Sequence, residues 1–402
     1  MTNVAILGFG VVGGGVAELL TKNAKEVTRL GGDEINIKYI LDLRDFPDSP
    51  FGNKVVHDFS IILGDPKVST VIEVMGGSHP AYEYTMAALR AGKNVITSNK
   101  EVVANFGDEF LAAAEAAGVS YRFEAAVGGG IPVISPMINC VGQNKLTEVR
   151  GILNGTTNYI LTKMFTFGDG FEESLADAQK RGYAERNPDA DILGTDACRK
   201  IAILASLATG KLVPTDKIHT EGITKIRKED VEASAKVGLK IKLLGRCIIS
   251  GGGLDIMVAP FMLPLDSPLA SVSGVYNAVE VVGEPIGSVM FYGPGAGAGS
   301  TASAVVGDLM QIMCSGRSCA QPVMIKTTEG VRDFDDFKSR SYIAITGGCP
   351  TCIKSAFGEV QIIEGVEEIA FITAKMSERD TLEAIRKLEE RGAEIKSRIR
   401  LI

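Results

Sequence analysis

The sequence predicts an α/β chain with a parallel sheet first, an α+β region next, and a C-terminal unit ordered strand, helix, strand, strand, helix, strand. Three observations carry this reading. Short apolar runs alternate with helical segments across glycine turns up to about residue 140, as in a parallel sheet. That alternation then lapses. Beyond the polar join Asp333 to Lys338, a compact set of short elements runs to the end of the chain. The expected domains are therefore 1–140, 141–320 and, as a ferredoxin-like βαββαβ unit, 338–402.

The first strand, Val4 to Leu7, meets Gly8-Phe9-Gly10-Val11-Val12-Gly13 and then an apolar helix. In this context each glycine has a role. Gly8 permits a tight turn, Gly10 lets backbone approach a pyrophosphate, and Gly13 lets helix and strand pack closely, as in a Rossmann fold. The next strand, Ile35 to Leu41, ends at Asp42 and Arg44. An acid there suits the ribose of NAD and an arginine the extra phosphate of NADP; the reading leans to NADP with NAD kept open. Thr70 to Met75 reads as a buried strand, Pro80 to Ala91 as a helix stopped by Gly92, and Asn94 to Thr97 as a strand leading to Ser98, Asn99 and Lys100. Lys100 thus lies at the carboxyl end of a strand, where open parallel sheets bind ligands.

A helix from Asp108 to Ala117 and a strand from Val119 to Glu124 precede the glycine turn Val127 to Pro132. Carbonyls there, with Glu124, suit a hard monovalent cation as well as a plain strand-to-helix turn. In the middle region, Glu148 to Leu153 reads as a strand and Asn154-Gly155-Thr156-Thr157-Asn158 opens a helix. Gly182 to Lys200 gathers Glu185, Asp189, Asp191, Asp196 and Lys200 around turn residues. Thr195 is the expected N-cap of an apolar helix that carries Asp196 and Lys200 on one face, four residues apart. A buried ammonium needs a partner or a task. A structural ion pair is the plain reading, and carboxylates around one lysine also suit a small amino-acid substrate.

Lys236 to Ser250 and Leu254 to Leu263 read as a hairpin around Gly251-Gly252-Gly253, with further strands at Val272 to Val282 and Ser288 to Tyr292. Tyr292 to Thr301 is a glycine-rich approach to the helix Ala302 to Met313; it either brings backbone to a ligand or joins domains. Cys349-Pro350-Thr351-Cys352 has the spacing of a redox pair or half a zinc site, though two plain loop thiols fit it as well.

A net charge of −7 argues against nucleic acid and anionic membranes as partners and for a small molecule. With 45% hydrophobic and 23% charged residues the chain is globular. The start, Met-Thr-Asn-Val-Ala-Ile-Leu-Gly, has no signal-peptide pattern, and no apolar stretch would span a bilayer, so a cytoplasmic location is expected. Seven cysteines spread over 402 residues read mostly as buried thiols, not a disulfide framework.

These motifs together resemble homoserine dehydrogenase over essentially the whole chain: the Gly8 turn, Thr97 to Lys100, Glu124 to Pro132, Asn154 to Asn158, Tyr292 to Gly297 and, above all, Ala178 to Lys200. The resemblance implies NAD(P)H-dependent reduction of L-aspartate 4-semialdehyde to L-homoserine. It implies Lys200 as proton donor, Lys100 as second lysine, and Glu185, Asp191 and Asp196 at the amino acid. It also implies a dinucleotide on Gly8, Phe9, Gly10, Val11, Val12, Gly13, Arg44, Ser98, Lys100 and Gly297, and Na+ on Glu124, Val127, Gly129 and Ile131. Pairing with Asp196 suits Lys200 to act as the acid in the reduction direction. The terminal unit resembles ACT-type regulatory domains. It departs from many of them by carrying Gly347-Gly348-Cys349-Pro350-Thr351-Cys352 in place of an acidic residue before a Pro-Gly turn, which bears on feedback by threonine. A homodimer or homotetramer is expected. Another NAD(P)-dependent amino-acid oxidoreductase, or a non-catalytic nucleotide and amino-acid sensor, is the alternative.

Overall fold

A computed structural model describes residues 1–315, 322–327 and 330–402. The chain forms two compact units, one of residues 1–146, 202–215 and 283–328, the other of 147–201, 216–282 and 329–402.

The first unit is built on a six-stranded sheet, all parallel, with strands in spatial order 55–56, 35–41, 2–7, 68–73, 94–97 and 121–122. Val4, Ile6, Ile40, Ile72 and Ile96 are buried because helices cover both faces of such a sheet. The helix Val11–Lys22 packs on a helix from much later in the chain, Ala298–Ser315. Gly15 permits this approach, since a Cβ there would lie 3.0 Å from the Ala298 carbonyl oxygen. Val16, Ala17 and Leu20 then share one core with Ala302, Val305, Val306 and Leu309.

The second unit holds a hairpin of two 12-residue strands, Leu239–Ser250 against Gly253–Pro264. Its turn needs two successive left-handed residues, and Gly251 and Gly252 supply φ of 52° and 77°. The first hairpin strand pairs with Lys145–Ile152, and the second runs parallel to the last strand, Glu394–Leu401. Beyond it the sheet continues through Lys338–Thr346, Ile369–Thr373 and Val360–Ile363, all antiparallel neighbours. The helices Pro350–Phe357 and Glu378–Glu389 bury Ile353, Phe357, Ala384, Ile385 and Leu388 against Ile343, Ile345 and Phe371.

Several local expectations are corrected. The helix expected from Asp108 starts at Lys100, because Asn99 caps it by accepting from the N–H groups of Glu101 and Val102. The strand expected over Val119 to Glu124 shrinks to Tyr121–Arg122, since Glu124 turns inward to serve the next loop. Lys236 ends a helix, Lys228–Lys236, and the strand expected from Val272 begins at Tyr276. Thr195 is the first helical residue of Thr195–Thr209, so the turn at Gly194 precedes it. Of the cysteines, Cys198 and Cys247 are buried, Cys140 and Cys314 are exposed, and Cys349 and Cys352 are in between. Cys319 lies outside the described residues.

Candidate active site

In the second unit, Asn154 caps the helix Gly155–Phe167 by accepting from the Thr157 N–H, at 2.9 Å. Its amide nitrogen is thereby turned the other way, donating to Asp191 Oδ1 at 2.7 Å and Asp196 Oδ2 at 3.0 Å. Lys200 Nζ donates to the same Asp196 oxygen at 2.8 Å and to the Leu153 carbonyl at 2.7 Å. Asn154, Asp196 and Lys200 are 6%, 7% and 9% exposed. At this burial a charge is tolerated only with partners, and here each has at least two. Burial and the neighbouring Asp196 raise the Asp191 carboxyl above its usual range, against the hydrogen bond from Asn154.

Sequence reasoning placed Asp191, Asp196 and Lys200 together, and the structure holds them in one hydrogen-bonded set. Glu185 is outside it. Its side chain is exposed in the loop after Gly182, and its carbonyl accepts from Gln179. Asn154 as the hub was missed, because an Asn before Gly-Thr-Thr announces a cap and not the acids 37 and 42 residues away. Also missed was Lys242, fully buried, donating to Asn158 Oδ1 at 2.7 Å and pushed down to about 7 by burial.

In the first unit the glycine turn has the shape its spacing implies. Gly8 has φ of 94°, a Cβ at Gly13 would lie 2.0 Å from the Gly8 oxygen, and one at Gly10 would meet nothing within 4 Å. The open side at Gly10, facing the start of the helix at Val11, fits a dinucleotide pyrophosphate. Val11 is exposed there. Phe9 packs edge-on against Phe46 and Phe51, and its N–H donates to Asp42 at 2.8 Å. Asp42 also accepts from the Arg44 guanidinium at 3.0 and 3.1 Å, which holds the carboxyl down at about 2. Arg44 remains largely exposed. Thus both residues weighed for the ribose stand beside the glycine turn, already paired.

Ser98 and Lys100 follow the strand Asn94–Thr97, Lys100 as the first residue of its helix. Beneath them lies Glu73, which the sequence reading had seen only as part of a strand. Fully buried, it accepts from Thr97 at 2.5 Å and the Met75 N–H at 2.8 Å, and burial raises it to about 7.

The loop 127–131 lies against the glycine segment 293–297. The Gly130 N–H donates to the Pro294 carbonyl, and a Cβ at Gly129 would fall 2.4 Å from the Gly295 oxygen. Those glycines therefore let two backbones meet; Gly297 itself has φ of 118°. The Glu124 carboxylate accepts from the N–H groups of Val133, Ile134 and Ser135, each at 2.7 Å. Its backbone N–H donates to Asp308, which burial raises to about 8. The Glu124 carboxylate, expected at a cation, is thus engaged by three backbone amides. Among the described residues no three His, Cys, Asp or Glu gather as metal ligands, and no helix is long and apolar enough to cross a membrane.

Comparison with known proteins reads the same two regions. Residues 8–124 match the family described as homoserine dehydrogenase, NAD binding domain, and residues 132–310 match homoserine dehydrogenase. A homoserine dehydrogenase of Synechocystis is 42% identical over 77% of this chain and 73% of its own length. One from Bacillus subtilis is 35% identical over 96% of this chain and 94% of its own. Among solved structures, a homoserine dehydrogenase from Thiobacillus denitrificans superposes with a TM-score of 0.93, at 34% identity, covering 100% of this chain and 98% of that one. A hyperthermophilic archaeal homoserine dehydrogenase mutant in complex with NADPH gives 0.66 at 28% identity, over 77% of this chain and 97% of its own. The glycine turn and the buried lysine and acids thus fall in regions matched to one enzyme family: this chain belongs to the homoserine dehydrogenases, NAD(P)-dependent oxidoreductases acting on a CH–OH group.

Proposed function

We propose that the chain interconverts L-aspartate 4-semialdehyde and L-homoserine, with Lys200 donating the proton in the reduction direction. The observation that carries this is the buried ammonium of Lys200, oriented by Asp196 and the Leu153 carbonyl. A bound NADPH or NADH would supply the hydride. As the aldehyde carbon is reduced, its oxygen takes on alkoxide charge. A fixed ammonium stabilises that charge and then gives up a proton to the oxygen. Asp196 and Asn154 keep the lysine and Asp191 in register, and Asp191 and Asp196 take the substrate ammonium. Glu185, on its exposed loop, is the third acid assigned to the substrate. Lys100 serves as the second lysine of the reaction. Assaying homoserine oxidation separately with NAD and NADP tests the reading; no turnover with either dinucleotide sinks it.

At the ribose, the exposed Arg44 guanidinium favours NADP, and Asp42 keeps NAD usable. We assign 1–140 to the dinucleotide, 141–320 to substrate and subunit contacts, and 338–402 to an ACT-type regulatory unit. Support for the last is its strand order 394–401, 338–346, 369–373, 360–363 with two helices on one core. A dose-response of activity against threonine checks it. A Na+ ion on Glu124 and the carbonyls of Val127, Gly129 and Ile131 is supported by the fixed backbone of that loop. Half-exposed Ile286, Met290 and Tyr292 support a homodimer or homotetramer, to be checked by sedimentation.

A further inference from the structure

The pair Cys349 and Cys352 takes no part in the chemistry above, and its geometry is not that of two loop thiols. Cys349 is the N-cap of the helix Pro350–Phe357, with Pro350 at the first helical position. Its sulfur accepts from the Cys352 N–H at 3.3 Å and lies 2.7 Å from the Cys352 sulfur. Both thiols are partly exposed, between exposed Gly347, Gly348, Pro350 and Thr351. Gly347 and Gly348 hold φ of 71° and 80°, and a Cβ at Gly347 would fall 2.7 Å from the Gly392 carbonyl oxygen, so the loop before the pair is fixed in shape.

We propose that Cys349 and Cys352 form a dithiol site that exchanges with small disulfides, Cys349 attacking and Cys352 resolving. Three physical features support this order. The thiol of Cys352 and backbone N–H groups hydrogen-bond the Cys349 sulfur and lower its pKa, while the same contact raises Cys352. The helix N-terminus favours a thiolate at the cap position. Cys352 is already in contact with the sulfur it must attack. A metal is the poorer occupant, since two thiolates are half a tetrahedral set and no third His, Cys, Asp or Glu joins them among the described residues.

The exchange balances. The Cys349 thiolate attacks one sulfur of an external disulfide, breaking its S–S bond and releasing one thiolate. Cys352 then loses its proton and attacks the Cys349 sulfur, expelling the second thiol and closing the Cys349–Cys352 bond. Two electrons pass from the protein to the external disulfide, which leaves as two thiols.

The test incubates the full-length protein with glutathione disulfide, alkylates it, and maps the peptide carrying residues 349–352 by mass. The expected result is loss of alkylation at both cysteines with a mass decrease of two hydrogens, reversed by a dithiol reductant. Cys352→Ser should trap glutathione on Cys349, and Cys349→Ser should leave Cys352 unmodified over the same time. Full alkylation of both wild-type thiols after oxidation overturns the proposal. So does a Cys352→Ser protein with no adduct at Cys349. The wild-type measurement does not depend on either variant folding.

Discussion

Replacing Lys200 by Met keeps an unbranched side chain and deletes the ammonium that donates to Asp196 at 2.8 Å and Leu153 at 2.7 Å. Asp196 then stays buried with the Asn154 amide, at 3.0 Å, as its remaining partner in this set. Removing one member of a buried ion pair costs about 3–5 kcal/mol. Total stability is about 5–15 kcal/mol, so the variant folds but melts earlier. On the chemical side, a positioned general acid contributes about 10²–10⁴-fold, or about 3–5 kcal/mol of barrier. The assay is initial-rate homoserine oxidation followed by NADPH absorbance, run alongside thermal unfolding. Turnover should fall about 10²–10⁴-fold with KM much less affected. Adding Asp196→Asn removes the buried carboxylate charge, so the double variant should regain Tm without regaining turnover. Single-variant turnover within about tenfold of wild type would refute the role of Lys200 as acid. Recovery of turnover in the double variant would show that the lysine is structural.

Arg44→Ala should raise KM for NADP by about tenfold or more while leaving NAD within a few-fold, because one charge-assisted contact to a phosphate is worth about 1.5–3 kcal/mol; equal effects on both dinucleotides would remove Arg44 from the phosphate. Gly13→Ala forces a Cβ to within 2.0 Å of the Gly8 oxygen, so dinucleotide affinity measured by fluorescence titration should drop sharply. An unchanged affinity would show that the turn yields freely. Burial raises Glu73 in the folded protein to about 7 from its ordinary 4.5. The folded state therefore holds the extra proton between those values, and stability from this group is complete below the lower one and lost as pH rises through the upper. Denaturant unfolding from pH 5 to pH 8 should show a decline that Glu73→Gln makes smaller by roughly 3 kcal/mol, Asp308 adding the same sign of change in both proteins; an identical pH profile in the variant contradicts the assignment.

Much of this protein was legible from local pattern. The strand, glycine turn and helix at Val4 to Leu20 were readable because each residue answers to its own backbone: a left-handed φ at Gly8, a close contact at Gly13. The same holds for the hairpin around Gly251 and Gly252. Asp196 and Lys200 were placed on one helix face by a spacing of four. The start of the helix at Lys100 was not legible because its cap, Asn99, fits a turn equally well by local pattern.

What sequence alone determined is therefore whatever depends on periodicity and on single-residue conformational freedom, including the parallel sheet, the C-terminal element order and the pairing of Lys200 with Asp196. Only tertiary structure decided which distant groups share a charge or a hydrogen bond. It seated the helix Ala298–Ser315 on Val11–Lys22, made Asn154 the hub for Asp191 and Asp196, and left Glu185 outside that set. It also spent the Glu124 carboxylate on three backbone amides and brought the two sulfurs of Cys349 and Cys352 into contact. The physical reason is that these contacts are fixed by burial and desolvation across segments far apart in the chain, where no local pattern records which partner each polar group will find.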